Sequence, residues 1–218
     1  GNTIVNQIKG MGCSCDYEDE HFTLDPDYAS AVRRLFADWY HDGIVYRGKR
    51  IVNWCPHCGT AIADDEAEYV PEKGHLWHLR YPLVEPVDGK DYIVVATTRP
   101  ETMLGDTGVA VSPKDPEASK FVGAKVKLPI VGREIPIFSD FYVDADFGTG
   151  FVKVTPSHDP NDWAMGERHD LPKINIFDAS AHVVEGYGKF SGLSRDEARE
   201  AIVAEFEELG LLDHVEDH

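Results

Sequence analysis

Tyr92-Ile93-Val94-Val95-Ala96-Thr97-Thr98-Arg99-Pro100-Glu101-Thr102-Met103-Leu104-Gly105-Asp106-Thr107-Gly108-Val109-Ala110-Val111 sets a strand, a polar turn and a second strand in one stretch. Tyr92 to Thr98 is rich in β-branched residues and ends in hydroxyls, one arginine and one proline. A strand ending this way carries polar groups onto a rigid rim, where a ligand is held with little opposition from loop entropy. Gly150-Phe151-Val152-Lys153-Val154-Thr155-Pro156-Ser157-His158-Asp159-Pro160-Asn161-Asp162 repeats the pattern and breaks at proline into a carboxylate-rich turn. Two such strand ends predict one site between them.

Outward from this pair, residues 61–177 read as short strands at close intervals. The candidates are 67–70, 76–82, 92–98, 108–111, 125–131, 134–137, 151–155 and 174–177, with short helices over 114–121 and 161–169. Proline and glycine punctuation of this density suits a barrel. The flanks read as helical. Asn2 to Lys9 is amphipathic, and Asp25-Pro26-Asp27 starts a helix, a capping carboxylate followed by proline at the first helical position, whose apolar face is Val32, Leu35, Phe36, Trp39 and Tyr40, closed by Gly43. Ile44 to Trp54 reads as a hairpin turning at Gly48, with Arg47, Lys49 and Arg50 either solvated or contacting a phosphate. Ser194 and Glu197 form a capping box before a helix burying Ala198, Ile202, Phe206 and Leu209, which Gly210 stops. The expected fold class is mixed α/β: a β-barrel-like core with short inserted helices and flanking N- and C-terminal helices. The expected division is a connecting segment over 1–60 and a main domain over 61–218.

The 218 residues are 42% hydrophobic and 28% charged, ordinary for a globular protein, and no apolar run reaches membrane-spanning length. The first residue is not Met and the first helix is entered midway, so a piece of a larger chain is expected. The net charge of −18 repels polyanions and argues against strong autonomous nucleic-acid binding. Cys13, Cys15, Cys55 and Cys58 are spaced for thiolate ligation rather than a disulfide framework, which implies a reducing, cytoplasmic setting.

Within the site, Pro100 holds Arg99 extended, where its guanidinium suits a carboxylate, phosphate or ester oxygen, or an internal salt bridge. Thr97, Thr98 and Thr107 could be there for strand propensity, whereas Thr102 lies in the turn three residues after Arg99 and can face the same space. Lys153 and Thr155 share one face of their strand, and an inward lysine needs a partner or a ligand. Asp159 and Asp162 stand at a helix entrance, as caps or as readers of an ammonium group and a hydroxyl; His158 is a base or a hydrogen-bonded scaffold residue. No Gly-x-Ser-x-Gly, His-Glu-x-x-His or spaced Cys/His pair is present, and Gly148-Thr149-Gly150 lacks the lysine of a phosphate loop. An enzyme built on these residues orients water by hydrogen bonds instead of forming a covalent intermediate.

Taken together, residues 96–106, Val131-Gly132-Arg133-Glu134-Ile135-Pro136, Phe147-Gly148-Thr149-Gly150, Lys153-Val154-Thr155-Pro156 and His158-Asp159-Pro160-Asn161-Asp162 resemble the editing insertion (first connective polypeptide) of valyl-tRNA synthetases. Tyr46-Arg47-Gly48-Lys49-Arg50 and Val52-Asn53-Trp54-Cys55-Pro56 add to the likeness, which covers essentially the whole chain. The resemblance implies an editing domain that hydrolyses threonine wrongly attached to tRNA for valine. A hydrophobic synthetic pocket rejects threonine only about a hundredfold, so a second, hydroxyl-reading site is needed. It also implies a pocket of Arg99, Thr102, Lys153, Thr155, Asp159 and Asp162, with Asp162 on the substrate ammonium. Lys153, Thr155 and Asp159 would handle the threonyl hydroxyl and terminal adenosine, and Arg99 and Thr102 would lie near the ester. The implied partners are tRNA for valine and the rest of a synthetase, with no membrane and a monomeric state. The absence of His-Ile-Gly-His and Lys-Met-Ser-Lys-Ser implies no amino-acid activation. Editing needs no cofactor, although Cys55-Pro56-His57-Cys58 is half of a zinc site by spacing. The competing readings are an isoleucyl-type editor clearing valine, a zinc-ribbon nucleic-acid module, and a non-hydrolytic module that positions the tRNA acceptor end.

Overall fold

The computed structural model describes residues 2–68, 70–144 and 148–218. The chain falls into two compact units, 1–50 and 51–218. The first holds α1 (Asn2–Gly10) and α2 (Pro26–His41). Pro26 begins α2 where an N–H would lack a helical partner anyway, but the Asp25 carboxylate does not cap the helix: it turns back and accepts from the Phe22 amide at 2.9 Å. The apolar face of α2 is present but open, each of its five residues being at least 44% exposed.

The second unit begins with a hairpin, β1 (Asn53–Cys55) on β2 (Thr60–Ile62). It replaces the hairpin expected over 44–54, because the chain turns at Pro56 to Gly59, where Gly59 takes φ 64°, instead of at Gly48. Trp54 Nε1 donates to Ala179 O at 2.8 Å and fastens the hairpin to its unit. The strand expected over 67–70 does not form at its described residues, and Tyr69 lies outside them.

The core sheet comprises β3 (His75–Val87), β4 (Lys90–Thr97), β5 (Gly108–Val111), β6 (Lys125–Lys127), β7 (Glu134–Ser139), β8 (Phe151–Val154) and β9 (Leu212–Asp217). Its order is β4-β3-β6-β7-β5-β8, with β9 also on β3. Only β5 and β7 run parallel among these pairs. The two end strands, β4 and β8, pack against each other, so the sheet curls into a nearly closed barrel. Leu79, Tyr81, Ile93, Val95, Val109, Val111, Val126, Ile135 and Ile137 fill it. Helix α4 (Arg195–Glu208) adds Ala198, Ile202 and Phe206 to that core. A second cluster of Ala110, Val143, Val154 and Met165 lies beneath α3 (Pro160–Arg168), so β5 is buried on both faces and reads as an unbroken apolar run.

Several local expectations change. Strand β6 stops at Lys127 because Pro129 is followed by a left-handed Ile130 (φ 66°) and Gly132 (φ 73°). The strand expected over 174–177 is reduced to a bridge between Phe177 and Val183, and the helix over 114–121 to a single turn, Ala118–Phe121. The capping box of α4 forms, but Leu209 lies past its end and is half exposed. Strand β9 was not expected: Leu212-Asp213-His214-Val215-Glu216-Asp217 is too charged to show an apolar alternation. No helix among the described residues is long and apolar enough to cross a membrane.

Candidate active site

The second strand end is locked onto α3. Asp159 caps the helix, its Oδ1 accepting from the amides of Asn161 (2.8 Å) and Asp162 (3.2 Å), and Pro160 opens the first turn. Gly166 lets α3 press onto the strand end, since a Cβ there would lie 2.8 Å from Pro156 Cγ. That approach carries Asp162 to Thr155, whose amide donates to Asp162 Oδ2 at 2.8 Å. Asp162 Oδ1 has no protein partner among the described residues.

The face that Lys153 and Thr155 share points inward, as their two-residue spacing predicts. The Lys153 ammonium donates to Thr155 Oγ1 (2.6 Å), Thr102 Oγ1 (2.7 Å) and Asp106 Oδ1 (3.2 Å). An ammonium has three protons, and all three are taken. The Thr155 hydroxyl donates to Asp106 Oδ1 at 2.5 Å, the Tyr81 hydroxyl to Asp106 Oδ2 at 2.8 Å, and the Thr102 hydroxyl to Arg99 O at 2.9 Å. Neither threonine is therefore a free nucleophile.

Arg99 closes the other side. One of its Nη atoms donates to His158 O at 2.7 Å, and its Nε lies 3.6 Å from the fully buried Glu101, which Arg199 holds bidentately at 2.9 Å. The internal ion pair weighed for Arg99 thus exists, yet its side chain stays 43% exposed. The Thr97 hydroxyl accepts from the Arg99 amide at 3.0 Å and fixes the turn. The His158 ring accepts at Nε2 from the Ile176 amide at 3.0 Å, the scaffold role, with Phe177 edge-on against it.

All nine residues singled out from the sequence (Thr97, Thr98, Arg99, Thr102, Lys153, Thr155, His158, Asp159 and Asp162) line one cleft of about 370 Å³. Leu76, Ala96, Val152 and Met165 supply its apolar walls. An adjoining cleft of about 560 Å³ shares Arg99 and His158 and continues past Ile51, Val52, Trp54 and Phe177. Burial raises the Asp162 pKa to about 6; Lys153 and the Thr155 amide oppose the rise, and Asp159 and Asp106 add to it. Burial, then Arg99 and Lys153, lower His158 to about 4, so the ring is neutral at physiological pH. Burial raises Asp106 as well, against Lys153 and the two hydroxyls.

Four supporting residues had no role in the sequence reading, although three of them lie in its motifs: Asp106, Glu101, Arg133 and, outside those motifs, Tyr81. Arg133 donates to Asp106 O (2.8 Å) and Leu104 O (3.4 Å), bracing the turn that carries Asp106. The available signal was a carboxylate, Asp106, two residues before the apolar strand β5. Phe147 lies outside the described residues; Gly148 and Gly150 take φ 67° and 80° ahead of β8. Cys55 and Cys58 sit on one knuckle, where hydrogen bonds from Cys58 lower the Cys55 thiol. They fit two positions of a tetrahedral zinc site, and no third ligand groups with them among the described residues.

A family model described as tRNA synthetases class I (I, L, M and V) matches residues 1–187. The chain belongs to the class I tRNA synthetases. It is 54% identical to the valine–tRNA ligase of Thermotoga maritima over 215 residues, 99% of this chain and 24% of that protein. It is 51% identical to the valine–tRNA ligase of Syntrophotalea carbinolica over 219 residues, 100% of this chain and 24% of that protein. The chain therefore spans about a quarter of the length of these curated relatives. Among solved structures, the crystal structure of GlLeuRS-CP1 matches with a TM-score of 0.51 at 15% identity, covering 65% of this chain and 99% of that one. The class I chain described here thus has the fold of a synthetase CP1 domain.

Proposed function

We propose that this chain is the editing insertion of a valine–tRNA ligase and hydrolyses threonine misattached to tRNA for valine. In this reading residues 1–60 connect to the synthetase core and 61–218 form the hydrolytic domain. The observation that carries it is the open Oδ1 of Asp162 in a cleft lined by threonine hydroxyls and carboxylates, where the Thr102 and Thr155 hydroxyls are already bound. Such a polar lining fits a small hydroxylated amino acid better than an aliphatic one, which calls for an apolar subpocket where this cleft offers hydroxyls and carboxylates.

Asp162 is ionised above about pH 6 and offers an anion to the substrate α-ammonium. Held there, the ester carbonyl faces Arg99 and the Thr102 turn. Water adds to that carbon, the bond to the ribose oxygen breaks, and that oxygen takes up a proton from the water to leave as a hydroxyl. The Lys153–Asp106–Thr155 network holds Asp162 and the hydroxyls at fixed positions, so the site gains rate from preorganisation. The adjoining cleft past Trp54 suits the nucleotides leading to the terminal adenosine.

The test is hydrolysis of threonyl-tRNA and valyl-tRNA, both of the valine acceptor, at low salt. Release of threonine with valine spared is expected, and Asp162→Ala should abolish it with the fold retained. Release of valine in preference to threonine would overturn the specificity and favour the isoleucyl-type reading. Binding of the charged tRNA end without release would favour the positioning module.

A further inference from the structure

The cleft that adjoins the editing site has a lining of a different kind. Trp54 lines it while 44% exposed, and its indole N–H donates to Ala179 O at 2.8 Å. The loop that accepts this bond is itself fixed, because the Asp178 carboxylate accepts from the amides of Ser180 (2.8 Å) and His182 (3.0 Å). Phe177 of the same lining is held edge-on against His158, with ring centroids 5.4 Å apart. Two aromatic rings are thus held in place before a ligand arrives, and little rotamer freedom is left to lose on binding.

The charges of this cleft run against those of the chain. Within a net charge of −18, its lining holds Arg99, Arg195 and one carboxylate, Asp178, which two amides already engage. A cationic spot on an anionic surface is where a phosphate chain can approach. Arg195 donates to Asp196 through Nε (2.9 Å) and one Nη (3.1 Å), but both side chains are more than half exposed, and a pair of this kind is weak enough for a phosphate to displace. The volume of about 560 Å³ is that of a small-ligand site. Arg99 and His158 line both clefts, so a chain whose end lies in the editing cleft runs on into this one.

Resting on the editing reading, we propose that Trp54 and Arg195 form a subsite for the single-stranded nucleotides that precede the acylated terminal adenosine. One base stacks on the Trp54 ring, and Arg195 takes a phosphate. Every base has a face to stack, so such a contact tolerates any sequence. The subsite therefore holds the tRNA end without reading the amino acid, and discrimination is left to the editing cleft. The β1–β2 hairpin thereby acquires a task, which is to carry the stacking ring to the cleft.

The test is calorimetric titration of the full chain at low salt with the ribotrinucleotide cytidine-cytidine-adenosine, the end that tRNAs share, and with adenosine alone. Wild type should bind the trinucleotide more tightly than adenosine. Trp54→Ala should weaken the trinucleotide by about tenfold or more and leave adenosine unchanged. Trp54→Phe, which keeps a ring face and loses the bond to Ala179, should retain most of the affinity. Arg195→Gln should flatten the dependence of log affinity on log salt by about 0.7. A trinucleotide bound no more tightly than adenosine, or an equal loss in the Ala and Phe variants, would overturn the subsite. Trinucleotide binding that depends on Trp54, in a chain that leaves threonyl-tRNA intact, would keep the subsite and remove the editing reading. Threonine release by a chain whose Trp54→Ala variant binds the trinucleotide normally would do the reverse.

Discussion

The two carboxylates of the cleft, Asp106 and Asp162, are both buried beside Lys153 and have opposite hydrogen-bond accounts. Asp106 receives the Lys153 ammonium and the Thr155 and Tyr81 hydroxyls, and neither of its oxygens is left over. Asp162 receives one amide on Oδ2 and leaves Oδ1 open to the cleft. Residue type and burial are alike, so saturation separates the group that builds the site from the group that can act in it.

The largest effect that tests this contrast is Lys153→Met. It leaves Asp106 buried without its cation and should lower stability by about 3–5 kcal/mol, read from the urea midpoint. Adding Asp106→Asn should restore part of that loss; if the single variant is as stable as wild type, the network is not what holds the turn. Next comes Asp162→Ala, for which deacylation should fall by roughly 10²–10³ or more while the urea midpoint does not drop. A parallel loss of activity and stability would make Asp162 structural, like Asp106.

Titration sharpens the contrast further. The native Asp162 pKa of about 6 lies above the unfolded value, so its stabilising contribution is full below about pH 4 and is lost as pH rises through 6. His158, lowered to about 4, runs the other way: its contribution is full above pH 6.5 and is lost as pH falls through 4. Their opposite slopes overlap between pH 4 and 6, and each masks the other in wild type. Asp162→Asn keeps an oxygen for the Thr155 amide and removes one slope. Its stability relative to wild type should therefore grow with pH across this window, by up to about 3 kcal/mol for a shift of this size. A constant difference between the two proteins from pH 4 to 7 would show that Asp162 titrates normally. Smallest is Asp159→Ala, which removes the cap of α3 and should lower stability by about 1 kcal/mol, with a fall in activity only through the displacement of Asp162.

Much of this was legible locally. The hydroxyl-and-arginine end of β4, the inward Lys153 and Thr155, and the cap at Asp159 each depend on contacts a few residues apart, and all of them fall in one cleft. What escaped had distant partners or a disguised pattern. Asp106 shows its role only once Lys153 is beside it. Strand β9 carries charges on both faces and is recruited by β3 rather than by its own periodicity. The hairpin moved from Gly48 to the cysteine knuckle, because positive φ was available at Gly59 as well and only tertiary docking of Trp54 distinguished the two turns.

By itself, the sequence determined most of the barrel strands, the caps of α3 and α4 and the family. These follow from side-chain periodicity, capping chemistry and turn residues, which act within one or two turns of chain. Only the tertiary structure decided which hydroxyls are spent, which carboxylate stays open and what Lys153 is for. The bonds that settle those questions join residues 47 and 51 positions apart, and hydrogen-bond saturation is a property of the assembled neighbourhood rather than of any segment.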